Sequence, residues 1–495
     1  MLKGSLTVFL SLIMVSVMTL IFAMSELVRL VSIDQLAQEY TDMAVESAFS
    51  EYNPYLWTNY RILAIDLGYG TENVGPEMFE TKIADYCQVN SDVEEGNNYG
   101  RLPVASCQAL KYGLLTDKSG QPVVELGVKA AGEGLAAQII DGVQGNIDEI
   151  NGVEKVEVEE QASSGNKELE NAKAANAEAK RRAAEDHNPQ TNPSDYPDPG
   201  SVEDDPFDAF DVLKESASTG LLSMVVATDK VSNLEIDVDN MPSARQLNVG
   251  NLEIEADTGM IDKALFIDYL MTNYSSYNNS LKHDGIQYEV EYLIAGAQSD
   301  TQNLAAVVGE ILLLREAANF ATIMNNTHLN LQAEAVADTL AGFTMNPAII
   351  KAVKLGLIAA WAYAESILDL RLLLSGGKVP IVKNLDQWTS DIYHLSQIAN
   401  LNTKAKDCSS GMSYDAYLMA FLALNSNETL GMRALDVMEN ALAQTEDYKT
   451  VKMDNMLYAA EIELSFAPEE MFLSLLDSSR GAEGYSIAKR KFLTY

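Results

Sequence analysis

The apolar positions of this chain fall into one long block, several helical stripes and a few alternating runs. From Ser5 to Ser25 the sequence SLTVFLSLIMVSVMTLIFAMS carries no formal charge. A helix of about 21 residues spans ~31 Å, which matches the hydrocarbon core of a bilayer. The block therefore predicts a transmembrane helix, residues 5–25, behind a short tip of residues 1–4. It exceeds the usual ~7–15 residue apolar core of a cleaved secretory signal. Ala23-Met24-Ser25 offers small residues of the kind a signal peptidase reads, so cleavage at Ser25 stays open beside an uncleaved anchor.

Past the block, Ile33, Leu36, Ala37, Tyr40, Ala44, Ser47 and Ala48 recur at three- and four-residue steps, with Asp34, Gln38, Glu39, Asp42 and Glu46 between them. That is an amphipathic helix, and it predicts a stalk over residues 26–53 ending at Asn53-Pro54. Residues 54–161 read as a mixed α/β part. Gln121 to Leu126 and Gly152 to Glu159 alternate like strands, and Lys129 to Ile140 looks helical. Residues 162–208 change character, first Ala-, Lys- and Glu-rich, then a run of prolines among Asp and Glu, and predict a charged linker or insertion. Residues 209–495 form the more compact part. Gly285 to Ile294 alternates as a strand, and Ser299 with Gln302 has capping-box spacing for a following helix. Asn346-Pro347 opens another helix running to Gly376-Gly377. Its longest uncharged stretch, Leu355 to Ala364, is too short to cross a bilayer, so it predicts a core helix. Helices over Ser413–Leu424 and Glu428–Gln444 and strands over Met456–Phe466 and Tyr485–Tyr495 complete an α+β, predominantly helical class.

Charge narrows the partners. Seventy-two Asp and Glu against 34 Lys and Arg give a formal net charge of -38. Such a surface repels phosphate backbones and predicts no nucleic-acid partner. Lys3 and the amino group precede the apolar block, and a long domain follows it. The expected orientation is a cytoplasmic N-terminus with the bulk of the chain outside the cell membrane.

Candidate chemistry adds little. The four histidines, His187, His283, His328 and His394, lack partners at metal-ligand spacing, and neither a G-x-S-x-G elbow nor a phosphate loop is present. Gly376-Gly377-Lys378 reads as a helix C-cap. Asp204, Asp205, Asp208 and Asp211, or Asp237, Asp239 and Asn240, could hold a hard cation, but neither set follows the calcium-loop pattern. No catalytic residue, metal ligand or cofactor is expected. The three cysteines do not make a disulfide scaffold, and Cys87 with Cys107 could either bridge in an oxidising compartment or stay as thiols.

Lys3-Gly4 followed by Ser5-Leu6-Thr7-Val8-Phe9 and an unbroken apolar helix resembles the N-terminus of the pseudopilin-like (TadE/TadG-like) proteins of Tad/Flp pilus systems. The likeness is nearest to a Gram-positive branch with a domain of unknown function. Glu291-Tyr292-Leu293-Ile294-Ala295-Gly296 and the run from Trp361 through Asp369-Leu370-Arg371 to Pro380 belong to the same resemblance, which covers about half of the chain. It implies prepilin-type processing between Gly4 and Ser5, and membrane or pilus-assembly proteins as partners. The glutamate that normally follows five residues beyond the cut is here Phe9. The expected function is thus a non-enzymatic, membrane-anchored assembly component; an anchored carboxylate-based hydrolase and a solute-binding ectodomain are the alternatives.

Overall fold

The computed structural model describes residues 2–91, 102–132, 220–253, 260–342, 345–395, 398, 400–468 and 486–495, with isolated positions at 145, 171, 174 and 178. Among them the helices are α1 (Leu2–Phe49), α2 (Pro54–Tyr60), α3 (Glu77–Ser91), α4 (Asp117–Ala131), α5 (Leu221–Val225), α6 (Met260–Asn273) and α7 (Glu289–Ala295). They continue with α8 (Asp300–Asn325), α9 (Thr327–Ala341), α10 (Pro347–Leu373), α11 (Tyr414–Leu424) and α12 (Asn427–Gln444). The strands are β1 (Ile65–Asp66), β2 (Val104–Leu114), β3 (Met456–Phe466) and β4 (Ile487–Thr494). The class is α+β and mostly helical, as the periodicities require.

The chain divides into two compact units, and neither is a single stretch of sequence. The first holds Met1–Leu126, Pro242–Asp257 and Met438–Tyr495; the second holds Gly127–Met241 and Thr258–Val437.

In the first unit β3 is the centre of an antiparallel sheet, with β2 along one side and β4 and the short β1 along the other. Its burial alternates from Ala460 onward: Ala460, Ile462, Leu464 and Phe466 are enclosed, while Glu461, Glu463 and Ser465 are half-buried. The enclosed face is covered by Ala37, Ala44, Val45 and Ala48 of α1 and by Phe79, Ile83 and Cys87 of α3. Alanines on α1 let its backbone come close to the sheet. Strand β4 sends Lys489 and Lys491 toward the same helix, where they pair with Asp34 at 2.9 Å and with Asp42 at 3.2 Å. The stretch read as a stalk is therefore amphipathic as its spacing requires, yet its apolar side is the helical layer of a packed unit. Helix α1 stops at Phe49, and Asn53 caps α2 by accepting from the Tyr55 and Leu56 amides at 2.9 and 3.1 Å. Segment 242–257 is tied in by Arg245, which forks onto Glu439 at 2.7 and 2.8 Å and reaches Asp454 at 2.6 Å.

Gln121 to Leu126 is a correction: these residues lie in α4. Lys118, Ser119 and Gly120 take left-handed φ of 49°, 57° and 77°, which breaks the chain before Gln121. Pro122 then sits where a first helical turn has no use for its missing N–H. The run was too short for period two to be told from one helical face. Of the helix expected over Lys129–Ile140, Lys129–Ala131 belong to α4, Gly132 follows with a left-handed φ of 78°, and the rest lies outside the described residues, as do the strand expected over Gly152–Glu159 and all but residues 171, 174 and 178 of the linker over 162–208.

In the second unit α8 and α10 pack lengthwise, with α9 against both and α5 and α7 against α8. Ser299 caps α8, accepting from the Gln302 amide at 3.3 Å, and Asn346 caps α10, accepting from the Ala348 amide at 3.0 Å. Gly285 to Ile294 is the second correction. Its latter part is α7, and Glu289 through Ile294 are all buried. Glu289 and Glu291 looked like the wet side of a strand, but both carboxylates point inward.

Candidate functional site

Among the described residues, exposed large apolar side chains are concentrated on α1. Leu6, Leu10, Leu12, Val15, Leu20 and Val28 are 59–69% exposed, and the most apolar stretch of the helix has a mean hydropathy of 2.5 with none of it buried. Phe9, where the resemblance would place a glutamate, is part of this exposed surface. Gly4 and Ser5 lie within the same helix. Where the apolar block ends, Arg29 donates to Glu26 at 2.5 Å, and both side chains are buried. Such length and composition suffice to cross a bilayer.

The second unit holds a different kind of site, centred on α10. Asp369 Oδ2 accepts from Arg315 Nε at 2.9 Å and Nη2 at 2.8 Å, and from Asn319 Nδ2 at 3.0 Å. Its Oδ1 takes Lys383 Nζ at 2.5 Å, and Lys383 also donates to Glu365. Glu365 in turn accepts from the backbone amides of Thr389 at 3.1 Å and Ser390 at 2.7 Å. Two cations and two carboxylates balance, and all four side chains have no exposure. Burial pushes the Asp369 carboxyl up, but the Arg315 guanidinium and the Lys383 ammonium outweigh it and hold the group below its ordinary value. Trp361 meets Trp388 edge to face at 5.5 Å and donates from Nε1 to Ser390 at 2.8 Å, closing the network from above. Arg371, two residues on from Asp369, binds the carbonyls of Met224, Ile398, Asn400 and Thr403 at 2.8–3.1 Å. The sealed network has no face for a substrate. It fastens segment 380–390 to α10.

A third group surrounds α7. Glu289 accepts from the Ser275 amide at 2.5 Å and meets His283 Nδ1 at 2.9 Å. Glu291 accepts from the Tyr277 amide at 3.0 Å and the Tyr414 hydroxyl at 2.7 Å. Complete burial raises the Glu291 carboxyl to about 7, despite those two donors. The Asp300 carboxyl is also raised by burial, while Ser232 and the Gln287 amide donate to it.

Two open recesses flank these groups. One, of about 430 Å³, is lined by Lys230, Tyr277, Asn278, Tyr288 and Gly376. The other, of about 480 Å³, contains Glu235, Asp237 and Asp239 with Gln298 and Gln302. The acids Asp237 and Asp239 thus share a recess, but Asn240 Nδ2 occupies Asp237 at 2.7 Å. Among the described residues no three His, Cys, Asp or Glu side chains converge as a metal site. Asp204, Asp205, Asp208, Asp211 and His187 lie outside the described residues. His394 contacts Asp391 at 2.9 Å, and Gly376, at φ +87°, ends the turn after α10 as a C-cap should.

Residues 200–467 match the model of a family of unknown function, DUF5702. The chain belongs to that family. No curated protein and no solved structure matches it. The DUF5702 match takes in both stretches singled out from the sequence, Glu291–Gly296 and Trp361–Pro380. In this DUF5702 chain their polar residues are fasteners: Glu291 holds the 277 loop, and Glu365, Asp369 and Arg371 hold segments 380–390 and 398–403. Arg315 and Lys383 escaped the sequence reading. An arginine directly after the apolar run Ile311–Leu314 was the available signal, because a charge continuing such a face must find a buried partner.

Proposed function

We propose that this DUF5702 protein is a single-pass membrane protein with a cytoplasmic N-terminus and its bulk outside the cell. It acts without catalysis, as an assembly or accessory component of a Tad/Flp-type pilus or secretion system, pseudopilin-like in its N-terminal helix. One observation carries the reading. A single unbroken helix, α1, is apolar and exposed over its first half and packed onto an antiparallel sheet over its second. A force on the membrane half of such a helix is delivered directly into the sheet, because no flexible joint lies between them. Orientation is supported by Lys3 ahead of the apolar block and by the long domain that follows it. The Glu26–Arg29 pair neutralises itself at the membrane boundary, which lowers the cost of charges there. Partners on this reading are the bilayer and other membrane or pilus-assembly proteins.

The test is made on membranes of the native host. The protein stays in the pellet after alkaline carbonate washing, and protease added to cells stripped of their wall digests the bulk. Recovery in the carbonate supernatant would overturn the anchor. Protection from protease would overturn the orientation. The pilus part is tested by the mass of the N-terminus: a start at Ser5 supports prepilin-type processing, and an intact Met1 removes it.

A further inference from the structure

We propose that Cys87 and Cys107 form a disulfide that ties α3 to β2 in the first unit. The oxidant it needs lies outside the cytoplasm, and in that respect the proposal rests on the reading above.

Position is fixed by one hydrogen bond. Glu80, on α3, accepts from the Ala109 amide of β2 at 2.8 Å, and this pins the helix over the strand. Two turns on from Glu80, roughly 10 Å along the axis, Cys87 returns to the same helical face with Ile83 between them. Two residues back from Ala109, ~7 Å along β2, Cys107 points to the same side of the sheet. The register confirms the side: Ala109 is opposite Ile462 and Cys107 opposite Leu464, both enclosed beneath α1 and α3. The two displacements run the same way, because Cys107 lies within electrostatic reach of Glu80 and Cys87 alike. Cys87 belongs to the hydrophobic core of the unit, and Cys107 packs against it. Both are thiols in the structure, as is Cys408 in the second unit.

The chemistry is thiol–disulfide exchange with a disulfide carrier or oxidised glutathione. The partly exposed Cys107 thiolate attacks the carrier disulfide and forms a mixed disulfide. Cys87 thiolate then displaces the carrier from Cys107. The two electrons and two protons of the protein thiols end on the carrier's two thiols. Burial pushes each protein thiol up to about 12, so little thiolate exists near neutrality. The exchange rate should accordingly climb about tenfold for each pH step below that value.

The test uses the full chain in detergent micelles, equilibrated with reduced and oxidised glutathione and then alkylated. The expected outcome is one alkylated thiol, Cys408, a mass loss of about 2 Da, and a non-reduced digest joining the Cys87 and Cys107 peptides. Cys408→Ser keeps the link, and Cys107→Ser, at a half-buried position, abolishes it. Three alkylated thiols, or glutathione adducts without the Cys87–Cys107 peptide, would overturn the proposal. Because this readout needs no cell, it fails or succeeds independently of the carbonate wash that tests the anchor.

Discussion

Helices α1 and α10 both satisfy the length and hydropathy of a membrane span, with mean hydropathies of 2.5 and 1.3. Their surroundings are opposite. The apolar stretch of α1 has no protein cover, whereas half of the corresponding stretch of α10 is buried and its later turns carry Glu365, Asp369 and Arg371 inside the unit. Hydropathy averages over the circumference of a helix and cannot register what packs there. In α10 the buried charges are decisive, because each has a partner from its own unit that a bilayer would not supply.

Truncation separates the two helices most sharply. Removing residues 2–25 should move the protein from membrane pellet to supernatant while leaving the first unit folded, since its core begins at Ile33. Thermal melts of the truncated and full-length chains should nearly superimpose. Persistence of the truncated form in carbonate-washed membranes would transfer the anchoring role to another element. The complementary change is Arg315→Met, which leaves Asp369 buried with one of its two cations. It should cost about 3–5 kcal/mol without altering membrane retention. Urea titration followed by tryptophan fluorescence reports it, since Trp361 and Trp388 stand at the network. Replacing Arg315 and Asp369 together by apolar residues should cost less than Arg315→Met alone, and additivity of the two would contradict the coupling.

What could be read from the sequence follows the same division. Caps and periodicities gave α10, α11, α12 and β3 nearly to the residue, and the start of α8, because Ser299, Asn346 and Ser413 act locally on amides two or three positions away. The apolar block of α1 was equally plain. The two segments misread as strands failed for different reasons: Gln121–Leu126 is too short for period two to be told from a helical face, and Gly285–Ile294 misleads through its acids. Alternation counts an acidic residue as solvent-facing, yet Glu289 and Glu291 are turned inward by donors from the 275–277 loop. The partnership of Arg315 with Asp369 is 54 residues long and leaves no local trace. Nor could sequence say that the second half of α1 lies on β3 and β4, since the sheet that covers it is made near the other end of the chain.

Acids of α7 and α8 offer a smaller and reversible handle on the second unit. Glu291 is raised from 4.5 to about 7, and Glu316, also by burial, to about 7. A carboxyl raised on folding binds its proton more tightly in the native state. Its contribution is therefore complete below about 4.5 and is lost as pH climbs through about 7. Lowering pH from about 8 to about 5.5 should stabilise the second unit against urea. Glu291→Gln should add about 1–3 kcal/mol at pH ~8 and flatten the slope, because the amide keeps an acceptor for Tyr414 and Tyr277 without the buried charge. A steeper slope in Glu291→Gln would assign the titration elsewhere.

The smallest expected effect concerns the seam between α1 and β4. Lys491 reaches Asp42 at 3.2 Å and Glu46 at 3.4 Å, and these carboxylates raise its ammonium. The group is wet and Glu46 is mostly exposed, so solvent and salt screen the attraction. Lys491→Ala should therefore cost less than about 1 kcal/mol and should cost still less at high salt. Ala44→Leu, on the dry side of the same seam, should cost about 1–3 kcal/mol by forcing α1 away from the sheet. If Lys491→Ala proved the costlier of the two in urea titrations of the full chain, the helix would be held by its charges. α1 would then resemble α10 in its chemistry, and the contrast between a helix seated on apolar contact and one seated on buried ions would fail.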